Sequence, residues 1–424
     1  MNFIESLKII FKSKDLKKRF LIVFGLLLIF RIFSNIPLPE VDIEKFKNII
    51  EANQFLGFIN IFSGGALAKS SIALLGVQPY ITAFIILEML TLVFPKLKEM
   101  FYEQGEAGRL KFNQYARFLT LPIAFIQAIG FLSFLNNQGI IFFADIFEVL
   151  RDAFYITVGT VILMWIGELI TEQKLGNGIS LIIFSGIIAS LPITIFQIFL
   201  TLTPEKLQIY LPLIILMILI IALVVFFSQA ERKIPLVFAS KIQGRRFVSG
   251  AHTYLPLKLS QAGVIPIIFA LALLTFPQTF LQFLSVFKIE FFNVIISEFN
   301  KIFANTLFFS LIYFLLVFFF TYFYTSIVFN PEEISKNLQK SGAFISGIRP
   351  GKETEKYLSN IVMKLNFFGG LFLGFIAILP YLIQILTKTP FLGIGGTSLL
   401  IVVSVAIETT RQINSELTLR KYEI

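Results

Sequence analysis

The chain has no cysteine and a single histidine, His252, among its 424 residues. Without thiols there is no disulfide framework, no thiolate metal site and no thiol nucleophile. That absence does not report on redox compartment. One imidazole cannot by itself build a His-based metal centre or a serine-hydrolase triad. No GxxxxGK[ST] string occurs, so no P-loop nucleotide site is expected. Charged residues make up only 15% of the chain. These absences argue against an enzyme and predict no cofactor and no metal.

What fills the chain instead is apolar. Hydrophobic residues make up 56%, and the mean hydropathy is +0.83. Soluble domains sit near about 45–50% apolar, so the composition indicates a polytopic membrane protein. The net charge of +10 therefore need not mean nucleic acid. In membrane proteins basic residues gather in cytoplasmic loops and touch anionic lipids. The 52 Phe residues are read as lipid-facing bulk and interfacial aromatics.

A spanning helix needs about 20 mostly apolar residues. Ten such runs are visible, at 20–37, 76–94, 115–136, 153–172, 178–200, 208–228, 262–284, 304–328, 364–387 and 395–413. Basic residues set their orientation. Lys8, Lys12, Lys14, Lys17, Lys18 and Arg19 precede the first run. More cluster at 95–117, 229–258, 329–364 and from Arg411 onward, while the opposite connections carry few. Both termini are expected in the cytoplasm. The N-terminal stretch is amphipathic and basic, with no small-residue cleavage site behind the first run, so no cleavable signal peptide is expected.

Ten runs divide as five and five. An odd number per half would make two halves inverted relative to one another, an architecture common in membrane transport proteins. The expected halves are 1–206 and 207–424, with the short link at 201–207 as a hinge. Two long cytoplasmic loops, 229–258 and 329–363, carry Gly and Pro among apolar residues. They are read as structured and protruding.

Ionisable residues within spans are functional candidates by default. Only Arg31, Glu88, Glu168 and Glu408 qualify. All four lie toward span ends, where Arg31 could snorkel and the acids could meet water. No midplane acid pair is visible. This argues against an ion-coupled transporter, and the lone His252 argues against a membrane-embedded enzyme.

One stretch departs from the rest: "FSGGALAKSSIALLGVQPY", Phe62 to Tyr80. It reads as a short helix, too short and too polar to cross a bilayer, bounded by Gly64, Gly65, Gly76 and Pro79. Irregular backbone at membrane depth is tolerated only inside protein or along a water-filled cavity. Residues 62–75 therefore belong inside the molecule, as a plug in a cavity mouth or as a re-entrant packing helix. Directly behind it, Ile81 and Ile85 share one helical face. Branched aliphatics at a constriction can seal a pore by dewetting.

Strings along nearly the whole chain carry a resemblance. They include "IPLPEVD" at 36–42, "NIFSGGAL" at 60–67, "WIGELIT" at 165–171, "GNGISL" at 176–181, "QAERKIP" at 229–235, "TYLPLKLSQAGVIPIIFA" at 253–270, "FNPEEIS" at 329–335, "GIRPGKETEKYL" at 347–358 and "GGTSLLIVVSVAIET" at 395–409. Taken together and in order, they resemble the SecY family, the large channel subunits of the bacterial Sec translocon. The resemblance implies an all-α fold of ten spans around a central pore. The plug would match 61–72, including Phe62, Ser63, Gly64, Gly65, Ala66 and Leu67. A pore ring would match Ile81, Ile85, Ile265, Ile268 and Ile401, with Ser185 as a non-aliphatic member. A lateral gate would open between 76–94 and 262–284. Glu88 stands where related chains often carry an uncharged amide. Arg245, Arg246 and Arg349 would dock the motor ATPase SecA or the ribosome. The implied setting is the bacterial plasma membrane, with SecE and SecG as small partner subunits. The implied cargo is secretory preproteins and nascent membrane proteins.

Overall fold

A computed structural model describes the chain from Ser13 to Lys421, apart from 40–59, 61–62, 144, 201–203, 239–240, 244–245, 249–251, 260, 262, 264, 287–289 and 388–395. Helices dominate. Those on the N-terminal side are α1 (Lys14–Phe33), α2 (Gln78–Leu90), α3 (Pro95–Tyr102), α4 (Gly105–Asn137), α5 (Ile146–Glu172) and α6 (Gly178–Leu200). They are followed by α7 (Pro204–Gln229), α8 (Ile265–Ser285), α9 (Glu290–Ala304), α10 (Thr306–Val328), α11 (Pro331–Lys340), α12 (Lys352–Thr387) and α13 (Gly396–Lys421).

A helix lies on each of the ten apolar runs. Among the described residues, six helices are long and apolar enough to cross a membrane alone. A seventh span arises if α2 and α3, bent by 112° at their break, count as one. The bend falls at Pro95, the first residue of α3, where proline's fixed φ and missing N–H suit a new helix start. α4, α6, α7, α8 and α12 each carry an internal proline. Packed spans tolerate this because neighbouring helices satisfy the freed carbonyls.

Helices before residue 201 pack on later ones in two places. α8 packs on α2 and α4, and α13 packs on α6. At the first seam Gly130 of α4 lets α8 approach closely, since a Cβ there would stand 2.3 Å from the Thr279 carbonyl oxygen.

The two long loops are not helical throughout. They form strands β1 (Glu231–Phe238), β2 (Lys241–Gln243), β3 (Arg246–Val248), β4 (His252–Lys258) and β5 (Ala343–Ile345). β2 and β3 pair as a small antiparallel sheet, and a second sheet runs β4-β1-β5. The all-α expectation thus describes the membrane body, while the loops add a sheet. β1 pairs antiparallel with β4 from Glu231↔Lys258 to Val237↔His252, and with β5 at Leu236↔Ile345. Pro235 cannot donate to a ladder, and it lies just outside the stretch that β5 covers. Ile234, Leu236, Leu257 and Ile345 bury one face of this sheet against Phe329, Leu358, Ile361 and Val362. Sequence-distant loops are thereby joined into one body. α11 starts cleanly because the Asn330 side chain accepts from the amides of Glu332 and Glu333, with Pro331 at the first turn.

Candidate functional site

Among the described residues nine helices, α1, α2, α5, α6, α7, α8, α10, α12 and α13, contribute to one large buried cluster that is mostly aliphatic. α2 contributes Ile81 and Ile85, α6 contributes Leu181, Ile182, Ile183 and Ile187, α8 contributes Ile268, and α13 contributes Leu400 and Ile401. Ile401 is fully buried, and Ile265 packs against the cluster from its edge. Ile81, Ile85, Ile268 and Ile401 are thus members of the same buried cluster. Ser185 enters differently. Its hydroxyl donates to the Ile182 carbonyl of its own helix at 3.0 Å, and its carbonyl faces α1. The apolar contribution of α6 comes from its neighbours.

The stretch before α2 wedges into this cluster, although it is not the short helix expected. From Ser63 to Val77 the chain is a series of turns with a single 3-10 turn at Leu67–Lys69. Phe62 lies outside the described residues. The cause is local: Gly64, Gly65 and Gly76 take φ of 65°, 84° and 59°, and Ser70 takes 47°, left-handed values that break a helix. Ala66, Ala73 and Val77 join the aliphatic cluster. Leu67, Leu74 and Leu75 are buried in a second cluster with Leu38, α4 and α5. Behind the tip, the segment is stitched to the chain after α1. The Leu38 amide donates to the Ser70 carbonyl at 2.7 Å, and the Ile72 amide donates to the Ile36 carbonyl at 3.0 Å.

Contact between the turn and α6 is backbone on backbone. A Cβ on Gly186 would stand 2.0 Å from the Gly64 Cα, which no side chain could relieve. Gly186→Ala is therefore expected to push the turn out of its seat while leaving the helices assembled. Resting ion leak through reconstituted vesicles should rise, and an unchanged leak in folded protein would show that the contact is not needed for the seal.

The packing of α8 on α2 and α4 holds amides that attention to charge alone overlooks. Gln78 Nε2 donates to Thr275 Oγ1 at 2.7 Å in a buried position. Gln78 Oε1, both polar atoms of Gln127, and Gln282 Oε1 are buried without a partner. A buried polar atom left unpaired costs about 1–3 kcal/mol. Water entering an opened seam would recover part of that. Gln within an apolar run was the available signal.

The four ionisable span residues separate. Glu168 forms a partly exposed ion pair with Arg117, Nε to Oε1 at 2.7 Å. Glu88 is 1% exposed with Oε2 unpartnered. Glu408 lines a polar cavity of about 440 Å³ with Thr171, Asn177, Gln412 and Glu416. Arg31 does not snorkel. It bonds interior carbonyls of the turn and of α6.

Among the loop arginines, Arg349 is exposed, and its carbonyl accepts from Thr354 Oγ1 at 2.8 Å. Arg246 lies on β3, and Arg245 falls outside the described residues. At the root of β4, burial holds the Lys258 ammonium below its ordinary pKa. Arg411 adds to this, while Glu408 and Glu231 oppose it. Among the described residues no group of three or more His, Asp or Glu side chains could hold a metal ion.

A multi-pass helical fold with an irregular segment packed among its spans is the architecture of a channel. Comparison with known proteins sharpens this. The SecY family model matches residues 71–410. Protein translocase subunit SecY of Aquifex aeolicus (strain VF5) is 40% identical over 432 residues, covering 99% of this chain and 98% of the relative. Its counterpart from Escherichia coli (strain K12) is 39% identical over 426 residues, covering 96% and 93%. The chain belongs to the SecY family. The fold is shared with a solved protein-conducting channel at TM-score 0.64 and 18% identity, covering 93% of this chain and 91% of that one. It is also shared with Sec61 of the canine ribosome-channel complex, at TM-score 0.62 and 18% identity.

Proposed function

We propose that this chain is the channel subunit of the protein translocase of a bacterial plasma membrane. In this reading it passes unfolded secretory proteins across the membrane and releases membrane segments sideways into lipid. One observation carries the proposal: an irregular segment seated in the buried, mostly aliphatic cluster to which α2, α6, α8 and α13 all contribute. A pore closed by packed aliphatics excludes water and ions without any covalent step. Opening then needs the segment from Ser63 to Leu67 to leave, and Ile81, Ile85, Ile265, Ile268 and Ile401 to part with the stretch around Ser185.

In this reading ten spans form a clamshell of two halves divided at about 206/207, with both termini cytoplasmic, and the seams of α8 with α2 and α4 and of α13 with α6 are where the halves meet. The seam of α2 and α8 is the lateral gate. A hydrophobic segment leaving by it satisfies its own backbone as a helix and gains an apolar solvent. The chain holds no energy source, so force must come from a partner such as SecA or a translating ribosome. SecE and SecG complete the membrane complex, and anionic lipids meet its basic loops.

The two cytoplasmic loops, 229–258 and 329–363, are the docking surface, with Arg245, Arg246 and Arg349 as their cations. Arg349→Glu is expected to cut motor-driven export by roughly tenfold or more, since like charges across an interface cost several kcal/mol. Stability should hold, because exposed substitutions usually change it by no more than about 0.5 kcal/mol. Failure to accumulate would make Arg349 structural instead. The reading as a whole is tested by reconstituting the complex with SecA and ATP and assaying protease protection of a secretory precursor inside vesicles. Uptake supports it; a precursor that stays fully digestible with an active motor refutes it.

A further inference from the structure

The Arg31 guanidinium joins two segments that are far apart in sequence. Nη1 donates to the Gly64 carbonyl at 3.1 Å. Nη2 donates to the carbonyls of Ser185 and Gly186 at 2.5 and 3.2 Å. One side chain of α1 thus ties the tip of the plug turn to the middle of α6. The neighbouring Phe30 is fully buried and closes the seat sterically, because a Cβ on Gly64 would stand 2.7 Å from its Cζ. A second tie lies one turn on, where Lys69 Nζ donates to Asn35 Oδ1, and Asn35 in turn donates to the Arg31 carbonyl. The end of α1 therefore grips the turn at its tip and at its far side.

We propose that Arg31 is the latch of the plug, a positioning residue that holds the turn at Gly64 against α6 and sets the threshold for its displacement. The inference rests on reading 63–67 as the plug. Three features favour a latch over a residue needed only for folding. The acceptors are backbone carbonyls, so the grip does not depend on any acidic partner. Guanidinium presents its donors in a rigid fork that can serve several acceptors at once, which an ammonium cannot match. And the bonded segment is an irregular turn, whose displacement would leave the two α6 carbonyls still holding Arg31. Releasing the tip of the turn at Gly64 breaks one charge-assisted bond to Arg31 and the packing around it, a reversible step and not an unfolding.

The test uses the absence of native cysteine. Ala66 is fully buried beside the latch, so Ala66→Cys reports seating of the turn. The complex with its small membrane subunits, otherwise free of cysteine, is reconstituted into vesicles and exposed to a charged, membrane-impermeant maleimide. In the R31Q variant, labelling of Cys at position 66 is expected about tenfold faster or more, given what a hydrogen bond to a charged group contributes. In R31K the acceleration should be smaller, because one point charge replaces the fork. Thermal unfolding and monodispersity are followed in parallel. Parental labelling rates in folded R31Q would overturn the latch, and so would parental rates in folded R31K if R31Q does not assemble. A separate arm tests the underlying reading. With Arg31 intact, engaging a stalled precursor should expose the probe. If the precursor is engaged and the probe stays protected, the plug reading itself fails.

Discussion

Deleting residues 62–72 is expected to leave an assembled complex that conducts ions at rest. The expected rise is at least about tenfold over the parent, because the constriction loses the body that fills it. The segment contributes Ala66 to the main aliphatic cluster and Leu67 to the second, so its removal opens space between both. Assembly should survive, since the spans keep their own contacts along α8 with α4 and α13 with α6. Single-channel recording of the purified complex in planar bilayers reads the result directly. A deletion channel as silent as the parent would mean that the spans close the pore unaided, and that the turn only packs.

The second large effect concerns the ring. Ile81→Ser together with Ile85→Ser replaces two buried aliphatics on one face of α2. Each buried aliphatic side chain is worth about 1.5–3 kcal/mol relative to exposure, and every 1.4 kcal/mol is tenfold in an equilibrium. Resting permeability should therefore rise by roughly tenfold or more, with hydroxyls now able to wet the constriction. The plug stays in place in this variant, so the leak should be smaller than in the deletion channel. Permeability no greater than the parent's would argue that these residues serve only as packing.

The apolar runs were legible for a simple physical reason, whereas of the proposed ring only Ile81 and Ile85 were read from the residues themselves, the rest coming from the resemblance. Apolar runs of spanning length admit few alternatives, and a helix lies on each of them. Ile81 and Ile85 sit four residues apart, so one face could be read without coordinates. The turn before them was recognisable as interior from its length and glycines. Its conformation was not, because a small-residue string fits a short helix as well as a set of left-handed turns. The sheet escaped notice because β1 and β5 are more than a hundred positions apart, and "IPLVF" is too short to declare a strand. Arg31 was the least legible. Near the end of an apolar run it looks like a snorkelling cation, and its acceptors are carbonyls, which no residue type announces.

The most direct measurement of the central claim places a single cysteine at Ile81. The channel is reconstituted with its small subunits, and a secretory precursor carrying one cysteine is driven in and stalled midway by a folded tail. With a mild thiol oxidant added to accept the two electrons, the expected result is a disulfide between channel and precursor that forms only with SecA and ATP, while cysteines at lipid-facing positions such as Phe226, exposed on α7, give none. If the precursor is demonstrably engaged yet no disulfide forms at position 81, the aliphatic cluster is not the path of the polypeptide, and the channel account is contradicted.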